Sequence, residues 1–187
     1  MFDAQCDLAA LVYRDGENPD NVLYEFASGL NASGYRAVGI VQLGRHCIDA
    51  GLSAMLMPTG EHLQLHQSLD QESAGCRLDV GQMTSAGERI ATTLDAGADI
   101  LIVNRFGRQE RKGKGFSHLI ERALGDDVPV VIAVPHHHFD DLIKFTGGMT
   151  VKLHCDYESL DAWWGLVSTP AGSLRRSGHS TVCEVMK

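Results

Sequence analysis

Apolar positions along the chain fall into two rhythms. Predominantly apolar runs occupy residues 8–13, 36–43, 99–104 and 128–134, the signature of short strands buried on both faces. Between them the spacing changes to three and four. Val22, Leu23, Phe26, Ala27 and Leu30 form one helical stripe, and Met83, Ala86, Ile90 and Leu94 form a second, each marking a helix that lays one side on a sheet. Asn18 before Pro19 supplies a cap and a first helical position, and Asp79 caps the second helix. Strand, loop, helix and strand over residues 8–43 make a βαβ unit with a right-handed crossover. Residues 53–66 read as two short strands about a Pro-Thr-Gly turn, with His62, Gln64 and His66 on one face and Leu63 and Leu65 on the other. A hairpin at this point is an insertion on a parallel core, and residues 76–78 add a brief strand.

A helix over about 116–124 precedes the strand at 128–134, and a short helix at 138–145 ends at Gly147 and Gly148. A strand at 150–153 and a last helix at 157–166 follow. That helix carries Trp163 and Trp164, whose rings point to different sides, so one belongs to the core and the other is free to meet a partner subunit. The fold class is therefore α/β, three-layer, with a mostly parallel sheet and a β-hairpin insertion. Residues 1–167 form one domain, and 168–187, poor in core-forming residues, form a mobile C-terminal tail.

Composition narrows the function. A chain of 187 residues, 44% hydrophobic and 21% charged, can build one sizeable core. Its apolar runs are far shorter than the roughly 18 residues of a membrane span, and the N-terminus lacks a basic leader, so a cytoplasmic protein with no membrane partner is expected. Five cysteines without a CxxC pair suit reduced thiols. The formal charge of -8 argues against nucleic acid as a partner.

Against that acidic background, Arg105, Arg108, Arg111, Lys112 and Lys114 crowd one loop, set among Gly107, Gly113 and Gly115. The loop leaves the carboxyl end of a strand, where ligands of α/β proteins bind. Two explanations compete. In one, Arg105 and Arg108 pair with Asp15, Glu17 or Glu110 and have only a structural role. In the other, Arg105, Arg108, Lys112 and Lys114, with Asn104, the amides of Gly113 and Gly115, and Arg14 and His136 nearby, cradle phosphate, molybdate or another tetrahedral oxyanion. His136, His137 and His138, read as extended chain, alternate in direction and cannot share a metal, and no ligand spacing calls for one. Arg77 beside Cys76 could activate that thiol, although a small buried residue is the plainer reading. His62 and His66 read as a solvated face. No catalytic triad and no cofactor are indicated, and a homodimer stays open.

The serial order of residues 10–21, MPTGEHLQL, CRLDV, ILIVNRFGRQE and VPVVIAVPHHH resembles the small P-loop nucleoside triphosphatases of thermophilic archaea and bacteria. It resembles more closely a bacterial family of unknown function often encoded beside molybdate-transport genes. Asn104, Arg105, Phe106, Gly107, Glu110, Gly113 and Gly115 fit that family's pattern, as do Cys76, Arg77, Leu78 and Asp79. The resemblance implies a P-loop NTPase-type fold and a molybdenum-linked setting. It also implies degenerate Walker motifs, because YRDGENPDN lacks the Lys and hydroxyl of GxxxxGK[ST], and Asn104 and Arg105 stand where acidic Walker B residues belong. Non-catalytic binding of a small oxyanion or phosphorylated ligand is the expectation. A divergent nucleotide hydrolase or kinase, or an interaction module keeping only the fold, are the alternatives.

Overall fold

The computed structural model describes residues 7–43, 53–67 and 77–168. The strand β1 (Leu8–Tyr13) runs into α1 (Pro19–Ala32), where the Asn18 side chain accepts the Asn21 amide and Pro19 takes the first turn. The chain returns as β2 (Ala37–Leu43), and the hairpin β3 (Ser53–Met57) and β4 (Glu61–Gln64) pairs antiparallel beside it. The short β5 (His66–Gln67) and β6 (Arg77–Leu78) pair with each other, and Asp79 caps α2 (Val80–Asp95) by accepting from the Gln82 amide. Then come β7 (Ile100–Asn104), α3 (Ser117–Gly125), β8 (Val130–Pro135), α4 (Phe139–Phe145), β9 (Val151–His154) and α5 (Tyr157–Val167).

The main sheet has seven strands in the order β4-β3-β2-β7-β8-β1-β9, parallel except for the hairpin. Because every central strand is covered on both faces, alternate residues of one strand enter opposite cores. Leu8, Ala10 and Val12 face α2, α3 and α4, while Ala9 and Leu11 face α1 and α5. The close β2–β7 approach depends on Gly39, where φ is +141° and a Cβ would lie 1.9 Å from the Ile102 carbonyl oxygen. No other residue fits there.

Two expectations are corrected. Trp163 and Trp164 are both buried, because Trp163 faces the core and Trp164 meets Tyr35 edge-on at 5.2 Å. Adjacent residues can both be covered when a helix lies in the angle between a sheet and the α1–β2 turn. His136–His138 form a single 3-10 turn rather than extended chain, so their side chains do not alternate. The expected tail lies outside the described residues apart from Ser168, which closes α5. Among the described residues no helix is long and apolar enough to cross a membrane.

Candidate functional site

Parallel strands bring the loops after β1, β7 and β8 to one end of the sheet. In the strand order, β8 separates β7 from β1. An ion pair links the two flanking strands' loops across its end. Arg105 Nη2 donates to both carboxylate oxygens of Asp20, at 3.1 and 2.9 Å, and Asn104 Nδ2 donates to Asp20 Oδ1 at 2.9 Å. Asp20, in the first turn of α1, is 6% exposed, so its charge is held almost wholly by these partners. The Arg105 guanidinium also lies 5.5 Å from the centre of the Tyr13 ring, a cation–π contact. Burial raises the Tyr13 hydroxyl above its ordinary range, and the Arg105 charge opposes that shift. The Asn104–Arg105 peptide is cis. Asn104 Oδ1 and Arg105 Nε are buried without a protein partner.

The loop that follows is organised by a carboxylate. Glu110, 4% exposed, accepts the Gly107 amide at 3.0 Å and the Phe116 amide at 3.2 Å. Gly115 is required beside it: φ is +60°, and a Cβ would stand 2.2 Å from Glu110 Oε1. Phe106 anchors the start of the loop, fully buried against Phe145, and its amide donates to the Ala133 carbonyl. Arg111 Nη1 meets Asp141 Oδ2 at 2.9 Å and His138 Nδ1 approaches the same oxygen at 3.5 Å, tying the loop to α4. Arg111 holds the Asp141 carboxyl below the usual range, whereas burial first and Arg111 second lower His138.

Of the residues singled out from sequence, Asn104 and Arg105 are together at Asp20, and neither Asp15, Glu17 nor Glu110 is the partner of Arg105. Glu17 instead accepts the amide of Arg14 within its own turn. The Gly113 amide is taken by the Glu110 carbonyl, so it is satisfied within the loop; Gly115 contributes by having no side chain. Arg14, Arg108, Lys112 and Lys114 are exposed and make no ion pair among the described residues. His136 is exposed at the end of β8. Cys76 lies outside the described residues, as do the side chains of Arg77 and His66. No cluster suited to a metal occurs among the described residues.

Sequence reasoning missed three contributors. Asp20 reads only as one of three carboxylates, with Asp15 and Glu17, ahead of a helix, and its inward turn onto Arg105, 85 positions away, has no local sequence signal. Tyr13 read only as a strand residue. Cys155, after β9, was not singled out; its thiol is pushed up to about 11 by burial, with Glu17, Asp156 and Asp20 adding to the shift, which makes it a poor nucleophile.

Residues 8–163 match the family described as "Protein of unknown function (DUF2478)". The chain belongs to this family. A relative, "Molybdenum import ATP-binding protein ModC 2" of Bradyrhizobium diazoefficiens, is 30% identical over 184 residues, which is 96% of this chain and 20% of the relative. The chain thus spans about a fifth of that protein's length. Among solved structures, THEP1 from Aquifex aeolicus superposes with a TM-score of 0.59 at 16% identity, covering 86% of this chain and 97% of THEP1. A human cancer-related nucleoside triphosphatase gives 0.55 at 12% identity, with 88% and 97% covered. These likenesses establish that the family member described here has the P-loop NTPase type of α/β fold, with a link by homology to a protein named for molybdenum import.

Proposed function

We propose that this chain binds a small oxyanion or phosphorylated ligand without catalysis, in the handling of molybdenum in the cytoplasm. The observation that carries the reading is the Asp20–Arg105 pair with Asn104 beside it. Laying GxxxxGK[ST] over residues 13–20 puts Pro19 at the lysine and Asp20 at the hydroxyl. A Mg-nucleotide fits these residues poorly. The polyphosphate would meet a carboxylate at the helix start, and Arg105 lies where a cation would have to sit. Phosphoryl transfer rests mainly on positioning and charge neutralisation, so internal neutralisation of Asp20 removes its basis. Four exposed cations, Arg14, Arg108, Lys112 and Lys114, make no ion pair among the described residues and stand on loops at the same end of the sheet. The relative named for molybdenum import supports molybdate as one candidate ligand.

A second reading, a divergent Mg-dependent hydrolase, draws on the unpartnered Asn104 Oδ1. With the Asp20 carboxylate it would offer oxygen ligands of the kind Mg²⁺ takes, provided Arg105 moves away. Thermal unfolding at fixed ionic strength separates the readings, with phosphate, sulfate, molybdate, tungstate, ADP, GTP and Mg-ATP in parallel. Ligand at about 100 times its Kd stabilises by roughly 2.7 kcal/mol, a shift of several degrees. A shift with oxyanions alone supports the first reading, one with Mg-ATP alone the second, and no shift defeats both in favour of an interaction module.

A further inference from the structure

We propose that the cleft between α2 and the cationic loop takes an organic phosphate carrying a flat apolar group, a deepening that rests on the reading of that loop as an anion site. The cleft has a volume of about 290 Å³ and is lined by Val80, Met83, Glu88, Gln109, Lys114 and His118. That is near the lower end of the roughly 300–1,000 Å³ of small-molecule sites and is more space than a bare tetrahedral oxyanion fills. Its two sides differ in chemistry. On one, Val80 and Met83 come from the first turns of α2 and present apolar surface to the cleft. On the other, Lys114 offers an ammonium with no ion pair among the described residues.

His118 joins the two sides. Its Nδ1 lies 3.1 Å from the Gly115 carbonyl, which can only accept, so Nδ1 carries the proton. Nε2 is then the nitrogen left for a ligand, accepting from a phosphate hydroxyl or, once protonated, donating to a phosphate oxygen. The ring lies across α2 at Gly87, where a Cβ would sit 3.6 Å from His118 Cε1 and 3.8 Å from Phe116 Cε1. Glu88, on the same rim, supplies an acceptor for an N–H or O–H of the organic part, a group that inorganic phosphate or molybdate lacks. A phosphate toward Lys114 and His118, a ring against Val80 and Met83 and a donor toward Glu88 match the cationic, apolar and acidic parts of the cleft.

The test is calorimetric titration of the full chain with phosphate, molybdate, 4-methylumbelliferyl phosphate and the phosphate-free 4-methylumbelliferone. The phosphate ester is expected to bind about tenfold or more tightly than inorganic phosphate, the gain from covering roughly 50 Å² of apolar surface, and the phosphate-free ring to bind far more weakly than the ester. The double variant Val80→Thr with Met83→Gln keeps charge and nearly keeps volume, at one exposed and one partly buried position. It should erase most of the ester's advantage and leave phosphate and molybdate affinity unchanged. An ester that binds no better than phosphate, or an advantage untouched by the double variant, overturns the cleft while the cationic loop survives as an oxyanion site. Equal binding of ring and ester overturns the shared role of Lys114. Failure of all four probes overturns the loop reading and the cleft with it.

Discussion

Replacing Asp20 by Ala removes the centre of the ion pair that defines this end of the sheet. Three hydrogen-bond contacts are lost, two from Arg105 Nη2 and one from Asn104 Nδ2. Breaking a buried pair by deleting one partner costs about 3–5 kcal/mol. The Arg105 side chain is 24% exposed, so water can recover part of its solvation and the lower end, about 3 kcal/mol, applies. At roughly 2–4 °C per kcal/mol for a chain of this size, the Tm should fall by about 6–12 °C. Asp20 also faces the positive end of α1, worth about 0.3–1 kcal/mol whatever Arg105 does. The single variant alone therefore cannot isolate the pair. A double-mutant cycle with Arg105→Ala, read by urea unfolding, can; the expected coupling is about 1–2 kcal/mol. Additivity within about 0.5 kcal/mol would refute the claim that Asp20 and Arg105 neutralise each other, and would leave Asp20 free for a metal.

Gly115→Ala should lower stability by more than about 2 kcal/mol, because it combines positive φ with a clash against Glu110 Oε1, and differential scanning calorimetry should show a Tm drop of at least about 4 °C. Glu110→Gln turns one acceptor into a donor facing a backbone amide, and should cost about 1–3 kcal/mol by denaturant unfolding. The Cys155 thiol has a folded-state pKa raised from 9.0 to about 11, so its contribution is fully present below 9.0 and is lost as pH rises through the folded value. The urea midpoint should therefore decline across that interval, and Cys155→Ala should flatten part of the decline, the rest including Tyr13. Glu61→Ala breaks an exposed pair with Arg89 and should leave the urea midpoint essentially unchanged, with a clear drop contradicting the surface assignment.

The strands and helices were legible because each is written in a local period. The runs at β1, β2, β7 and β8 and the stripes of α1 and α2 need no distant information, and Asn18 and Asp79 mark helix starts within three residues of the amides they cap. The site was legible only as a location. Arg105 stood out because its loop departs from the acidic average, but its partner lies 85 positions away, across the end of β8, and only strand order brings them together. Glu110 reads as a candidate partner for Arg105 or Arg108; its inward turn onto the Gly107 and Phe116 amides depends on Gly115 leaving room for the carboxylate. One of Trp163 and Trp164 was left for a partner subunit because helical period counts one apolar face, whereas Tyr35, from the turn before β2, covers a second at Trp164.

The most direct test of the central claim is calorimetric titration of molybdate and of Mg-ATP into the wild-type chain and into a variant with Arg108, Lys112 and Lys114 all changed to Ala. The account predicts saturable molybdate binding by the wild type, at least about tenfold weaker in the variant, as expected when charge-assisted contacts worth more than about 1.4 kcal/mol are removed, and no binding of Mg-ATP by either. Saturable Mg-ATP binding by the wild type, or molybdate binding indifferent to the three substitutions, would contradict it.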